Sequence, residues 1–193
     1  MKPLKLGVLG SGRGSNFVSI QEAILAGTLN ATIEVVISDK PEAPILEHAR
    51  KFGLAAEALP VSKFKTKLEP EIEEKLVSIL KAHDVEWVVL AGYMRVVKAP
   101  LLDAYPNRII NIHPSLLPKF KGLEAWKQAL EAGESKAGCT VHYVNAGVDE
   151  GEIIAQSEVP VLPGDTAESL HARIQVAEHQ LFPAVLRKLS GAS

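Results

Sequence analysis

The chain has 193 residues, enough to bury a core as one large domain or as two closely packed halves. Its 47% hydrophobic and 23% charged residues are ordinary for a globular protein, and a formal net charge of -2 leaves no electrostatic footprint for nucleic acid. A single cysteine, Cys139, excludes an internal disulfide; with no run of 18 apolar residues and no leader pattern, a soluble cytoplasmic protein without a membrane partner is expected.

The elements alternate between strand and helix signals, which points to an α/β fold with a central, mostly parallel sheet flanked by helices. Lys5-Leu9 reads as the first strand, followed by a glycine-rich turn and a helix from Phe17 to Ala26. Ile33-Ser38 is a second strand, and Ala43-Phe52 a helix that stops at Gly53. A short strand at Ala56-Leu59 precedes a lysine-rich polar segment, so residues 60–70 are expected to form a mobile loop. Pro70 through His83 is an amphipathic helix with Ile72, Leu76, Ile79 and Leu80 inward. The almost wholly apolar Trp87-Ala91 suits a parallel strand buried on both faces. Ile109-His113 follows, then a helix over Glu124-Ala132.

In the last third, Thr140-Val144 and Ile153-Val159 are separated by so short a loop that they are expected to pair antiparallel. The final helix is expected to open at Asp165, with Glu168 completing a capping-box-like pair. Leu170, Ile174, Ala177, Leu181 and Val185 form its core stripe, and Pro183 should kink or shorten it.

The most specific segment is Asn111-Ile112-His113-Pro114-Ser115-Leu116-Leu117-Pro118. At strand period Ile110 and Ile112 point to one face, Asn111 and His113 to the other, roughly 6–7 Å apart. That spacing suits an amide and an imidazole flanking one reacting carbonyl. Pro114 cannot donate to a sheet ladder, so the strand ends there, at the carboxyl edge where open α/β sheets bind ligands.

The turn supplies Gly10, Gly12 and Gly14, then Ser15 and Asn16 at a helix start. Free N–H groups and the helix dipole there favour an anion, although a purely structural tight turn fits the same residues. Ser15 stands where a dinucleotide fingerprint has its third glycine, and no P-loop lysine follows. Of the six histidines, His48 and His83 fall on helix surfaces, His142 in a strand as a core histidine, and His171 and His179 in the last helix. No metal-ligand spacing occurs, so no metal is expected. Cys139 reads as a buried structural thiol. Asp149, in Gly147-Val148-Asp149-Glu150-Gly151, is either a turn residue or the carboxylate that meets His113 and governs its proton.

Taken together, Gly10 to Asn16, Ala91-Gly92-Tyr93-Met94-Arg95, Asn111 to Gly122, the Asp149 loop and Gln175-Val176-Ala177-Glu178-His179 resemble the phosphoribosylglycinamide formyltransferase family of purine biosynthesis, over essentially the whole chain. The resemblance implies a Rossmann-like formyltransferase fold in a single domain, residues 1–193. Its phosphate-binding half would span about 1–100 and its folate and catalytic half about 101–193. It implies 10-formyltetrahydrofolate as co-substrate, two small-molecule substrates, and a monomer or homodimer. The catalytic group it implies is Asn111, His113 and Asp149. The ribonucleotide would be held by Gly14, Ser15 and Asn16 at its phosphate and by Gln175 and Glu178. Folate would be met by Met94, Arg95, Val96 and Val97, by Asn111, and by Asn145, Ala146, Gly147, Val148 and Asp149, with Lys67 as the nearest basic residue in the loop after the third strand. A cis peptide between Leu117 and Pro118 is implied as well.

Related chemistries define the alternatives. Methionyl-tRNA formyltransferase would need a second, basic C-terminal domain, and formyltetrahydrofolate hydrolase an added N-terminal one; neither is expected here. A Rossmann nucleotide-binding protein is the more remote reading, and the Ser-Asn ending of the turn speaks against it.

Overall fold

The computed structural model describes residues 1–191. Its elements are β1 Leu4–Leu9, α1 Ser15–Leu25, β2 Ala31–Ser38, α2 Pro44–Lys51, β3 Ala56–Ala58, α3 Pro70–Ala82 and β4 Trp87–Leu90. There follow α4 Ala99–Ala104, β5 Ile109–His113, α5 Ala125–Glu131, β6 Lys136–Tyr143, β7 Ile153–Pro160 and α6 Ala167–Leu189. One seven-stranded sheet runs in the order β3-β2-β1-β4-β5-β6-β7. Strands β1 to β5 pair parallel, and β6 and β7 continue the sheet antiparallel. The chain leaves β1 toward β2 and β3 on one side and returns to β4 on the other, so the winding reverses between β1 and β4. Such a reversal opens a crevice at the carboxyl ends of the strands.

Apolar side chains alternate between two buried layers. Leu6, Val8, Val36, Val89, Ile110 and Ile112 pack with Phe17, Ile45, Ile174 and Phe182 from α1, α2 and α6. Leu9, Val35, Ile37, Val88, Leu90 and Ile109 pack with Leu76, Leu80 and Leu101 from α3 and α4. Each such Leu, Ile or Phe, fully buried, contributes about 1.5–3 kcal/mol relative to exposure. Of the expected α6 stripe, Leu170, Ile174, Ala177 and Val185 are buried, Leu181 is only half-buried, and Phe182 and Leu186 join it. Among the described residues no helix is long and apolar enough to cross a membrane.

Several local expectations are corrected. Helix α4 was not anticipated, since six residues are too few to show a period. It forms because Pro100 sits in its first turn, where a missing N–H costs nothing, and because Glu73 Oε1 accepts from the Lys98 N–H at 2.8 Å. Strand β6 begins at Lys136 rather than Thr140: Gly138 lets β7 approach so closely that a Cβ there would lie 2.1 Å from the Ser157 carbonyl oxygen. The cap of α6 is Thr166 with Ser169, not Asp165 with Glu168. Asp165 instead takes the Arg173 guanidinium on both oxygens, at 2.7 and 2.9 Å. Pro183 does not shorten α6, which continues to Leu189. Residues 60–69 form a loop as expected, with Lys63 N donating to Glu69 at 2.8 Å and Val96 N to the Thr66 carbonyl at 2.7 Å. The Leu117–Pro118 peptide is cis.

Candidate active site

Strand β5 delivers Asn111 and His113 to the crevice, and the loop behind it is pinned from beneath. Thr140 Oγ1 donates to the Ser115 carbonyl at 2.7 Å and accepts from Leu117 N at 3.1 Å. Gln156 Nε2 reaches the Leu117 carbonyl at 2.8 Å. The loop then turns back so that the Phe120 carbonyl meets His113 Nε2 at 2.8 Å. A carbonyl only accepts, so Nε2 carries the hydrogen in that contact. The other ring nitrogen, Nδ1, lies 3.4 Å from Asp149 Oδ2. That is longer than a well-formed hydrogen bond.

Asp149 is held on the far side. Its Oδ2 accepts from Gly122 N at 2.9 Å, and its φ of 53° is left-handed, a region few non-glycine residues enter. Phe120 (φ 55°) and Glu124 (φ 50°) share that conformation in the facing loop. Backbone strain of this kind costs about 1–3 kcal/mol per residue and gathers at functional sites. Asp149 thus sits in a bend of its loop and faces His113 across 3.4 Å.

His142, expected as a core histidine, belongs to the same cluster. In the antiparallel register it sits directly across from Asn111. Its Nδ1 bonds the Tyr143 carbonyl at 2.8 Å, which assigns the hydrogen to Nδ1 and leaves Nε2 to accept from Asn111 Nδ2 at 3.2 Å. Burial lowers its pKa, keeping the ring neutral in that role, although Tyr143 and Asp149 oppose the shift. Asp149 Oδ1 is 3.8 Å from Nε2. Among the described residues no group of three or more His, Cys, Asp or Glu is placed to hold a metal ion. Cys139 is fully buried, and burial pushes its thiol up to about 12, which makes it inert.

The glycine turn ends in Gly14, whose φ of 76° starts α1, followed by Ser15 and the buried Asn16. A Cβ at Gly14 would fall 2.5 Å from Ile45, so glycine is required there on both counts. Helix α6 packs against α1 and places Glu178 beside the turn, where Asn16 Nδ2 donates to Glu178 Oε2 at 3.1 Å. Glu178 is only 6% exposed, and burial pushes its carboxyl up to about 7 despite the Asn16 bond. Asn16 Oδ1 is buried without a partner, an acceptor still unused. Gln175 lies half-buried one turn earlier on α6.

The segment between β4 and α4 borders the same edge. Met94 is 52% exposed, Val96 half-buried and Val97 almost sealed into the core. The Arg95 side chain is not open to the crevice: Nε donates to Asp39 Oδ2 at 2.6 Å and Nη1 to the carbonyls of Phe64 and Lys67. Lys67 is exposed, its ammonium 4.6 Å over the Phe64 ring. In the loop opposite, Asn145, Ala146 and Val148 are exposed, and Asn145 Oδ1 accepts from Gly147 N at 2.9 Å.

An amide, an imidazole and a carboxylate thus meet at the end of β5, on the same carboxyl edge of a Rossmann-like sheet as the glycine turn after β1. The sequence matches the formyl transferase family over residues 4–186, and the chain belongs to that family. It is 41% identical over 187 residues to the phosphoribosylglycinamide formyltransferase of Bacillus subtilis (strain 168), covering 97% of this chain and 95% of that protein. It is 46% identical over 191 residues to the trifunctional purine biosynthetic protein adenosine-3 of Drosophila pseudoobscura pseudoobscura; the match takes in 98% of this chain and only 14% of that much longer protein. The crystal structure of glycinamide ribonucleotide transformylase 1 from Symbiobacterium toebii superposes with a TM-score of 0.93 at 47% identity, over 98% of this chain and 88% of that one.

Proposed function

We propose that this protein, acting as a single formyltransferase domain, moves the formyl group of 10-formyltetrahydrofolate to the amine of 5'-phosphoribosylglycinamide, a step of de novo purine biosynthesis. The observation that carries the reading is that Asn111, His113 and Asp149 meet at the carboxyl end of β5, on the sheet edge that also carries the Gly14-Ser15-Asn16 turn with Glu178 against it. The amine attacks the formyl carbon, and negative charge gathers on the former carbonyl oxygen. Asn111 offers that oxygen an amide N–H; with Nε2–H held by the Phe120 carbonyl, His113 would add a donor only as the imidazolium, through Nδ1–H beside Asp149, which is oxyanion-hole stabilisation. His142 aims the Asn111 amide by accepting its other hydrogen. Asp149 receives the proton lost by the attacking amine, directly or through water, and it returns to the departing folate nitrogen.

The turn at the start of α1 suits the ribonucleotide phosphate, with N–H donors and the positive end of the helix dipole. Glu178 and the unused Asn16 oxygen suit its hydroxyl and amide donors, with Gln175 on the same face of α6. Folate would lie along Met94, Val96 and Val97 and under the loop Asn145 to Asp149. With its side chain committed elsewhere, Arg95 would contribute backbone groups there, and Lys67 would reach the folate tail. Both partners are small molecules; the enzyme works in the cytoplasm as a monomer or homodimer, without metal, nucleic acid or membrane. The deciding assay follows deformylated folate by absorbance with and without the ribonucleotide. Product only when both substrates are present supports the reading. Deformylation without the ribonucleotide would make the protein a hydrolase, and no product would refute the assignment.

A further inference from the structure

Asp39 stands at the carboxyl end of β2, where a dinucleotide-binding fold keeps a carboxylate free to accept ribose hydroxyls. Here its side chain is 1% exposed and both oxygens are occupied. Ser11 Oγ donates to Oδ1 at 2.6 Å, and Arg95 Nε donates to Oδ2 at 2.6 Å. The hydroxyl of Ser11 in turn accepts from Met94 N at 2.9 Å, while Ser11 N donates to the Gly92 carbonyl at 3.0 Å. Arg95 carries the chain of bonds onward to the carbonyls of Phe64 and Lys67. Asp39 therefore joins the glycine turn, the segment after β4 and the loop before α3. Residues 91–98 lie in neither helix nor strand; Ala91, Val96 and Lys98 are tied by their own N–H groups to Leu9, Thr66 and Glu73, and between those ties Met94 and Arg95 are held by the Asp39 network.

We infer that Asp39 is a positioning residue for the folate side of the site: through Ser11 and Arg95 it holds Met94 to Val97 in the conformation that receives the co-substrate. The inference rests on the proposed reading, in which that segment lines the folate pocket. The bonds converge on a buried carboxylate, and removing one partner leaves the others unsatisfied, a cost of a size that shows in binding. Its link to the glycine turn is Ser11 alone; Asp39 bonds none of Gly14, Ser15 and Asn16, nor Glu178 or the His113 cluster, so its effect should fall chiefly on the folate.

Asp39→Ala would strand the Arg95 guanidinium in the interior and confuse binding with folding. The informative variants are Ser11→Ala, which removes one small hydroxyl, and Asp39→Asn, which keeps the shape. Each should raise KM for 10-formyltetrahydrofolate about tenfold and leave KM for the ribonucleotide unchanged. Affinity for an unreactive dideazafolate, followed by fluorescence, should fall by the same factor. The double variant should be no worse than the sum of two independent losses predicts, and nearer to one, because both act through one network. Variants that melt cooperatively yet keep wild-type folate KM and analogue affinity, or that shift both KM values equally, would overturn the inference. A wild-type protein that neither transfers formyl nor binds the analogue would overturn the functional reading, and the inference with it.

Discussion

Replacing Glu178 by glutamine should stabilise the protein in a pH-dependent way while weakening ribonucleotide binding. The carboxyl is 6% exposed and burial raises it from 4.5 to about 7, with one opposing bond from Asn16. Below about pH 4.5 the group is protonated folded or unfolded, and its full stabilising contribution is present. Between there and about pH 7 the native state keeps a proton that the unfolded chain has released, so stability falls as pH rises. Above the native value the loss is complete, about 3 kcal/mol at 1.36 kcal/mol per pH unit. Glutamine has the same shape, cannot ionise, and keeps an oxygen to accept from Asn16. At about pH 8 Glu178→Gln should therefore gain up to about 3 kcal/mol, or about 6–12 °C in Tm for a chain of this size. Near pH 4, below the unfolded value, the gain should almost vanish. Thermal melts of both proteins at the two pH values measure it, and steady-state kinetics should show a raised ribonucleotide KM. A variant no more stable at pH 8, or equally stabilised at both, would refute the argument that this carboxyl is held against its solvation.

Three further outcomes are expected. His113→Ala and Asp149→Asn should each lower turnover by about 10²–10⁴-fold, the usual worth of a positioned acid–base group, as measured by initial rates, with melts showing an intact fold. Asn16→Ala should raise KM for the ribonucleotide and Met94→Ala that for the folate; varying each substrate in turn tests this, and the opposite pairing would invert the division of the site. Activity should survive exhaustive chelation, read as the rate before and after dialysis against chelator, with loss and rescue by one divalent ion as the contrary result.

Much of this molecule is legible from residues that are neighbours along the chain. Strand period alone puts Asn111 and His113 on one face and Ile110 and Ile112 on the other, and the structure keeps that division. The α6 stripe and the Pro114 strand end follow from equally local rules. What escaped the sequence depends on partners far apart. His142 joins Asn111, 31 residues away, only because β6 pairs antiparallel in one register; a slip of one residue would turn it to the opposite face. Helix α4 is capped by a glutamate 25 residues upstream, and so carries no local signature. Asp39 reaches across 28 residues to Ser11 and 56 to Arg95, and Asn16 across 162 to Glu178. Periodicity and turn chemistry are written in each short stretch, because they arise from the backbone of that stretch. Which buried polar group meets which is decided by strand order and helix docking, because only the assembled sheet removes the water that would otherwise satisfy each of them.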